Sequence, residues 1–193
     1  MLAAVLLGTG AYGVGFLFDF VAVKRVTGVK AMVAVLFLAL HGLALAVAVF
    51  SPQRFPLPAW AVGAGYVTLP LFAALLAYSL FFELPTKKTY AEAGSSNQLV
   101  TTGTYALTRH PGVLWYTFGM VALTMATRST ALLIAAPLWV FLDVLHVVVQ
   151  DRVFFPKMFS DYPQYQRTTP MLIPTLQSIE ACVKTVRRRN LPS

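Results

Sequence analysis

Hydrophobic residues fill five long segments of the chain with few polar interruptions, instead of recurring at spaced positions as they do in a soluble core. A bilayer core of about 30 Å needs about 20 helical residues, and the segments approach that length without the alternation typical of membrane strands. They are approximately Leu2–Val23, Ala31–Phe50, Ala59–Phe82, Gly112–Thr127 and Ala131–Val149. The pattern predicts an all-α, polytopic membrane helical bundle of about five transmembrane helices, followed by a cytoplasmic C-terminal interfacial segment.

Composition and charge support a membrane protein and orient it. Hydrophobic residues make up 58% of the chain and charged residues 11%, against roughly 45–50% and 25% in soluble proteins. Of the fifteen Lys and Arg residues, all but Arg54 and Arg128 lie on connections that fall on one side of the membrane. The positive-inside rule then predicts an outside N-terminus and a cytoplasmic C-terminus. Because the cations flank apolar segments, membrane lipid is the expected partner, and nucleic acid is not.

The domain organisation is predicted to be simple. No Gly/Ser-rich linker separates the hydrophobic segments, which favours one membrane-embedded domain over residues 1–175, with core motifs in 101–175 and a basic tail over 176–193. Cys182 is the single cysteine, so an intrachain disulfide framework and a Cys-based metal cluster are excluded, and no metal is expected. No obligate protein partner is evident. The cations of the tail, Lys184 and residues 187–189, are expected to contact anionic lipid.

Polar residues inside the first two segments have structural explanations. An acidic residue in a membrane helix costs about 2.5 to 3.5 kcal/mol, so it needs a partner or a water-filled cavity. Asp19 lies near the end of the first segment, where pairing with Lys24 or Arg25 is the favoured interpretation. His41, in the second segment, is expected to be a neutral, hydrogen-bonded core histidine.

The fifth segment carries a polar stripe. Asp143, His146 and Gln150 recur at three and four residues and therefore share one helical face, and Asp151 follows at once. Two interpretations stay open. The stripe is either the wall of a hydrophilic pocket or the site of an Asp143–His146 pair that locks two helices together.

The run Gly103–Pro111 opens the fourth segment with a combination suited to anions. Pro111 fits the first turn of a helix, because its fixed φ and missing N–H cost nothing there. The free amides and the positive end of the helix dipole would then face the cytoplasm. Arg109 beside them can bind a carboxylate or phosphate, and His110 adds a group that titrates near neutral pH.

The spaced residues Gly103, Tyr105 and Arg109-His110-Pro111 resemble a motif of the integral-membrane methyltransferases, which include isoprenylcysteine carboxyl methyltransferase and phospholipid N-methyltransferases. Downstream segments are similar to that family's acidic pair, its Tyr-containing run and its proline-ended tail. They are Gln150–Arg152, Phe159–Tyr165 and Pro170–Pro174. The resemblance covers about 75 residues, from Thr101 to Thr175, and implies S-adenosylmethionine as cofactor.

The sequence departs from this pattern in two places. Val113 and Trp115 stand where the family shows a Tyr and then a Gly, and the acidic pair is reduced to Gln150-Asp151. Gly63 and Gly65 resemble, weakly, a Gly-x-Gly element of the phospholipid enzymes; helix packing is the alternative.

Together these residues define a candidate cofactor site. The resemblance and the charges assign Arg109 and the helix start to the cofactor's carboxylate, His110 to a further contact, and Asp151 with Gln150 to adenosyl or amino groups. The full cofactor-binding set is Tyr105, Arg109, His110, Pro111, Gln150, Asp151, Tyr165, Gly63 and Gly65.

The expected function is S-adenosylmethionine-dependent methyl transfer to a small or lipid-like apolar substrate that enters from the bilayer. Positioning would supply most of the rate, so no catalytic residue is assigned. Two alternatives remain. An Arg-His-Pro run with a nearby Trp also occurs in denitrification-associated membrane proteins and zeta-carotene isomerase, which suggests haem bound by His110 or His146. The other is a non-catalytic membrane scaffold.

Overall fold

The computed structural model describes residues 1–24, 28–84 and 99–189, with 188 and 189 as backbone. The long helices are α1 (Leu2–Lys24), α2 (Val29–Val49), α3 (Ala59–Ala77), α5 (Pro111–Thr127) and α6 (Thr130–Val149). Between and after them lie the shorter helices α4 (Thr104–Leu107), α7 (Phe155–Met158), α8 (Tyr162–Thr168) and α9 (Leu176–Arg189). Lys87 and Lys88, which the charge count includes, lie outside the described residues, as does Arg25.

The five long helices confirm the predicted bundle, and this is an integral membrane protein. Within the described residues, four continuous helical stretches are long and apolar enough to span a membrane; they are Leu2–Lys24, Val29–Val49, Ala59–Glu83 and Thr130–Met158. Helix α5 has 17 residues, about 25 Å at 1.5 Å per residue, somewhat less than a bilayer core.

The long helices pack as two antiparallel pairs with α6 between them. Helix α1 lies along α2, α3 lies along α5, and α6 contacts α1, α2 and α5. Small residues allow the close approaches. A Cβ added at Gly8 of α1 would enter the indole ring of Trp139 in α6, which is fully buried. Gly65 has a similar role in α3, since a Cβ there would lie 2.5 Å from the backbone nitrogen of Ala126 in α5.

At one end of the bundle, the short connection between α2 and α3 pairs with the one between α5 and α6. The Phe55 N–H donates to the Arg128 carbonyl at 2.9 Å, and the Thr130 N–H donates to Gln53 at 3.1 Å. The Ser129 hydroxyl, fully buried, donates to the carbonyl of Ala48 at 2.6 Å. Backbone polar groups that would otherwise lie near the hydrocarbon boundary are therefore paired.

The opposite end of the bundle contains buried acidic residues and several short helices. Two long helices end there in π-helical turns, Tyr78–Glu83 after α3 and Gln150–Phe154 after α6. The short helices α4, α7 and α8 and the beginning of α5 meet at this end. π-Helical turns are rare and are often found at functional sites. Both of them here contribute a buried acidic residue, Glu83 and Asp151.

Candidate functional site

A buried carboxylate, that of Asp151, organises the polar end of the bundle. It forms a bidentate ion pair with Arg109, with Nε to Oδ1 at 2.8 Å and an η nitrogen to Oδ2 at 3.0 Å. The Tyr162 hydroxyl donates to Oδ1 at 2.5 Å, and the Gln166 amide donates to Oδ2 at 3.0 Å. Charge-assisted and bidentate hydrogen bonds are the strongest that proteins make. Asp151 is therefore fixed by residues from two separate segments, the start of α5 and helix α8.

Arg109 ties the start of α5 to the C-terminal part of the chain. Its second η nitrogen donates to the backbone carbonyls of Gln166, at 3.1 Å, and Thr169. Its own backbone N–H donates to Pro170 at 2.9 Å. Burial acts to lower the pKa of the Arg109 guanidinium, but hydrogen bonds and charge from Asp151 outweigh it and raise that pKa. The guanidinium stays charged and holds the proline-ended segment against the helix start.

His110 contacts the same carboxylate as Arg109. Its Nε2 is 3.4 Å from Asp151 Oδ1, and its ring stacks on Phe155 with centroids 5.7 Å apart. Burial lowers the pKa of His110, opposed by Asp151 and reinforced by the nearby charges of Arg109 and His146. We therefore expect a neutral imidazole near pH 7. The predicted role of Pro111 as the first residue of α5 is confirmed.

Two tyrosines of the predicted set extend the site. The Tyr165 hydroxyl donates to the backbone carbonyl of Tyr105 at 2.6 Å, and the Tyr105 hydroxyl donates to that of Ser79 at 3.3 Å. Burial raises the pKa of Tyr165, so the phenol stays protonated. Tyr105, Arg109, His110, Pro111, Asp151 and Tyr165 are thus gathered at one end of the bundle.

A second carboxylate, Glu83, lies at this end and was not predicted from the sequence. It accepts hydrogen bonds from the Thr104 backbone N–H at 3.0 Å and from the Thr104 hydroxyl. Gly103 has φ of 65°, and a Cβ there would collide with the Glu83 carboxylate. The signal available in the sequence was the acidic residue at the end of the third hydrophobic segment.

Trp115, one of the departures from the family pattern, takes part in this polar network. Its indole N–H donates to the Ser79 hydroxyl at 3.0 Å, and the same hydroxyl is 2.9 Å from that of Thr104. Val113, the other departure, is buried.

Asp19 forms a separate cluster with partners that differ from the predicted ones. Its carboxylate is 2.6 Å from His146 Nε2 and accepts from the Gln150 amide at 3.0 Å. The expected pairing with Lys24 is corrected, because α6 packs directly against α1 and brings its polar stripe to Asp19. The other expected partner, Arg25, lies outside the described residues. Lys30, buried at the start of α2, adds its positive charge near this carboxylate.

The polar stripe on α6 therefore fastens helices together. His146 pairs with Asp19 on α1, and not with Asp143 as one interpretation held. His41, as expected, is hydrogen-bonded in the core, with Nε2 3.0 Å from the Tyr116 hydroxyl.

Three residues of the predicted cofactor set do not join the Asp151 cluster. Gln150 turns to Asp19 instead. Gly63 is exposed and Gly65 packs against α5, both near the start of α3. The π-helical turn after α3 lies about 30 Å further along the helix, at 1.5 Å per residue. These two glycines therefore lie at the opposite end of the bundle from Asp151, where Gly65 packs against α5 and Gly63 is exposed.

Comparison with known proteins agrees with this architecture. The sequence profile of the phospholipid methyltransferase family matches residues 60–162, slightly more than half of the chain. A similar protein is the cobalt-zinc-cadmium resistance protein CzcN of Cupriavidus metallidurans, 31% identical over 87 residues, which are 45% of this chain and 40% of that protein. The chain thus spans less than half the length of this relative. No solved structure matches the chain.

The matched region runs from the start of α3 to Tyr162, and so includes Glu83, Arg109, His110 and Asp151. The chain belongs to the phospholipid methyltransferase family.

Proposed function

We propose that this member of the phospholipid methyltransferase family transfers a methyl group from S-adenosylmethionine to a small or lipid-like apolar substrate that reaches the site from the bilayer. The observation that carries the proposal is the assembly of Arg109, His110 and Asp151 at the start of α5, inside the matched region. Asp151 lies about 40 residues after the adjacent Arg109 and His110, so a helix start alone does not account for their convergence.

The chemistry of the residues fits this cofactor. S-adenosylmethionine carries a carboxylate, an ammonium, ribose hydroxyls, an adenine ring and a positive sulfonium. The polar end supplies an acidic residue in Glu83, amide groups at the start of α5, and the aromatic faces of Tyr105 and Tyr165. Aromatic faces and carboxylates both favour a nearby cation. When bound, the cofactor would supply an electrophilic methyl group.

The contacts of Arg109 and Asp151 support a different proposal for their roles from the one that the sequence suggests. Every nitrogen of the Arg109 guanidinium already donates a hydrogen bond, two of them to Asp151. We assign this pair to holding the walls of the site in place, and assign direct cofactor contact to His110, Tyr105 and Tyr165. Rate would come from holding the methyl group in line with the acceptor and excluding water.

The substrate class follows from the surroundings of the site. The π-helical turn after α3 carries Phe81 and Phe82 with their side chains exposed, next to Glu83. In a membrane such residues face lipid, so an apolar acceptor can approach from the bilayer without entering water. Membrane lipid is then both the surroundings and the source of substrate. We propose the orientation expected from the cations, with this end in the cytoplasm.

The test is calorimetric titration of the purified protein with S-adenosylhomocysteine, comparing wild type with His110→Gln. Loss of one direct contact should weaken binding about 10-fold, which corresponds to about 1.4 kcal/mol. His41→Gln is the matched control, because His41 is also a hydrogen-bonded bundle histidine but lies among Tyr12, Phe37 and Trp139. It should bind like wild type.

Absence of binding by wild type would overturn the proposal. An absorption spectrum with a Soret band that changes in His110→Gln or His146→Gln would favour haem instead. Equal affinities in the two histidine variants would remove His110 from the cofactor contacts.

A further inference from the structure

Helix α9 divides its surface into three faces. At about 100° per residue, Ser178, Cys182 and Thr185 share one side, and this side faces the protein. The Thr185 hydroxyl accepts a hydrogen bond from the Gly103 N–H at 2.9 Å, and Ser178 is buried. Burial and then the charge of Glu83 raise the pKa of the Cys182 thiol.

The second face is apolar and exposed. Leu176 is 82% exposed, and Ile173, just before the helix, is 81% exposed. Farther along the same side lie Ile179, Val183 and Val186, each between about a third and a half exposed. Contiguous aliphatic side chains of this kind mark an interaction surface. A row of five along one short segment requires a covering partner.

The third face is cationic. Glu180 and Lys184 form an exposed pair with 3.7 Å between Oε2 and Nζ, and Arg187 follows one turn later on the same side, also exposed. The sequence adds two further arginines at 188 and 189. An apolar strip bordered by cations is the composition of helices that lie in the membrane interface and attract anionic headgroups.

The position of α9 in the fold identifies what covers the strip. Its inner face packs on α4, which in turn contacts the π-helical turn after α3 and the helix α5. A helix fixed at that level has lipid next to it. We propose that α9 lies flat in the membrane interface, with Ile173, Leu176, Ile179, Val183 and Val186 among the acyl chains and with Lys184 and Arg187 bound to anionic phospholipid headgroups.

This arrangement links lipid to the polar end of the bundle without requiring the proposed methyl transfer. Gly103 is held between Glu83 and Thr185, six residues before Arg109. Anionic lipid that holds α9 down therefore also stabilises the segment that leads into α5.

Site-directed labelling can test this geometry in the intact protein. Cys182 is the single cysteine, so a Cys182→Ser background accepts a new labelling site. Val183→Cys and Lys184→Cys form a matched pair, since successive residues point about 100° apart on the helix. The introduced cysteine of each variant carries a fluorophore, and the protein is reconstituted in lipid discs of phosphatidylcholine. Quencher groups are attached to the lipid acyl chains, close to the headgroups. Quenching should be several-fold stronger at 183.

The charge arm uses the label at 183 with the quencher attached either to phosphatidylglycerol or to phosphatidylcholine at equal mole fraction. Each cation that reaches a headgroup should enrich the anionic lipid about fivefold, equivalent to about 1 kcal/mol. The substitutions Lys184→Gln and Arg187→Gln together should reduce that preference, as should high salt.

Three results would overturn the proposal. Equal quenching at 183 and 184 would show that the strip does not face the acyl chains. Equal quenching by the two lipids would exclude the proposed contact of Lys184 and Arg187 with anionic headgroups. Disulfide-linked pairs of unlabelled Val183→Cys chains would identify a second copy as the covering partner.

Hydrogen exchange of the unsubstituted protein gives an independent measurement. Amides of α9 should exchange more slowly in an equimolar mixture of phosphatidylcholine and phosphatidylglycerol than in phosphatidylcholine alone. Identical exchange in both would contradict the headgroup contact even if a labelled variant failed to fold.

Discussion

Two buried carboxylates, Asp151 and Asp19, lie at the centres of neighbouring polar clusters, but they connect different parts of the bundle. Asp151 binds Arg109, Tyr162 and Gln166, which lie on segments after α4. Asp19 binds residues of α6 and of the π-helical turn, and so fastens the α1–α2 pair. The clusters meet at two successive positions, since Gln150 donates to Asp19 and the next residue is Asp151 itself.

The two clusters differ in their relation to the region that matches the family. Asp151, Arg109 and Tyr162 all fall within residues 60–162, whereas Asp19 lies on a helix pair before them. The Asp151 cluster therefore builds the candidate site, and the Asp19 cluster attaches a further helix pair to it. Variants at the two clusters should differ in size of effect and in location.

The largest expected effect comes from Arg109→Ala. It leaves the 4% exposed Asp151 carboxylate without its main cation, and breaking a buried ion pair costs about 3–5 kcal/mol. We expect a large fall in unfolding free energy in detergent, measured by chemical denaturation. Arg128→Ala at the opposite end is the control and should change stability by less than about 0.5 kcal/mol. Similar stability of both variants would show that the Asp151 cluster does not hold the polar end together.

Asp19→Leu should give the next largest effect. Two donors, on His146 and Gln150, lose their acceptor, which should cost about 2–3 kcal/mol. Asp19→Asn keeps an oxygen for the Gln150 amide and should retain part of that stability. The loss should appear as faster hydrogen exchange in α1 and residues 150–154. Faster exchange in α8 instead would place Asp19 in the other cluster.

Two tyrosine variants compare a charged acceptor with a neutral one. Tyr162→Phe removes a hydrogen bond to the Asp151 carboxylate and should cost about 1.5–3 kcal/mol. Tyr165→Phe removes one to the Tyr105 carbonyl and should cost about 0.5–1.5 kcal/mol. Thermal unfolding of both in one detergent decides the order. A reversed order would indicate that Asp151 is satisfied without Tyr162.

The smallest effect concerns pH. The pKa of His110 is lowered in the folded protein, so the folded state binds fewer protons than the unfolded state. Its contribution is complete above the unfolded pKa of about 6.5 and is lost as pH falls below it, by up to about 1.4 kcal/mol per pH unit. Unfolding at pH 7.5 and 5.5 should show a smaller acid loss in His110→Gln than in wild type. An equal loss would assign the acid sensitivity to another group.

The sequence predicts the helices well because the signal is physical and local. A run of apolar residues long enough to cross the bilayer leaves the backbone little choice but a helix, and the five segments match α1, α2, α3, α5 and α6 closely. Pro111 as a helix start is likewise a local property.

Partners across the bundle could not be predicted in the same way. Asp19 was matched with cations nearby in sequence, but its hydrogen-bond partners among the described residues lie more than 120 residues away. Gln150 and Asp151 were both assigned to the cofactor's adenosyl or amino groups, yet the π-helical turn directs them to different clusters. Gly63 and Gly65 matched a Gly-x-Gly element, but the match did not show at which end of the bundle they lie. Such pairings depend on which helices touch, and hydrophobic periodicity does not encode that.

Gly103 also has a consequence for genetics. Two separate constraints act there, a left-handed backbone at φ 65° and the Glu83 carboxylate in the place of a Cβ. A second-site change that shortens Glu83 relieves the collision but not the backbone strain at φ 65° and ψ −132°, which costs a non-glycine residue about 1–3 kcal/mol. A selection for suppressors of Gly103→Ala should therefore recover reversions to glycine more often than changes at Glu83.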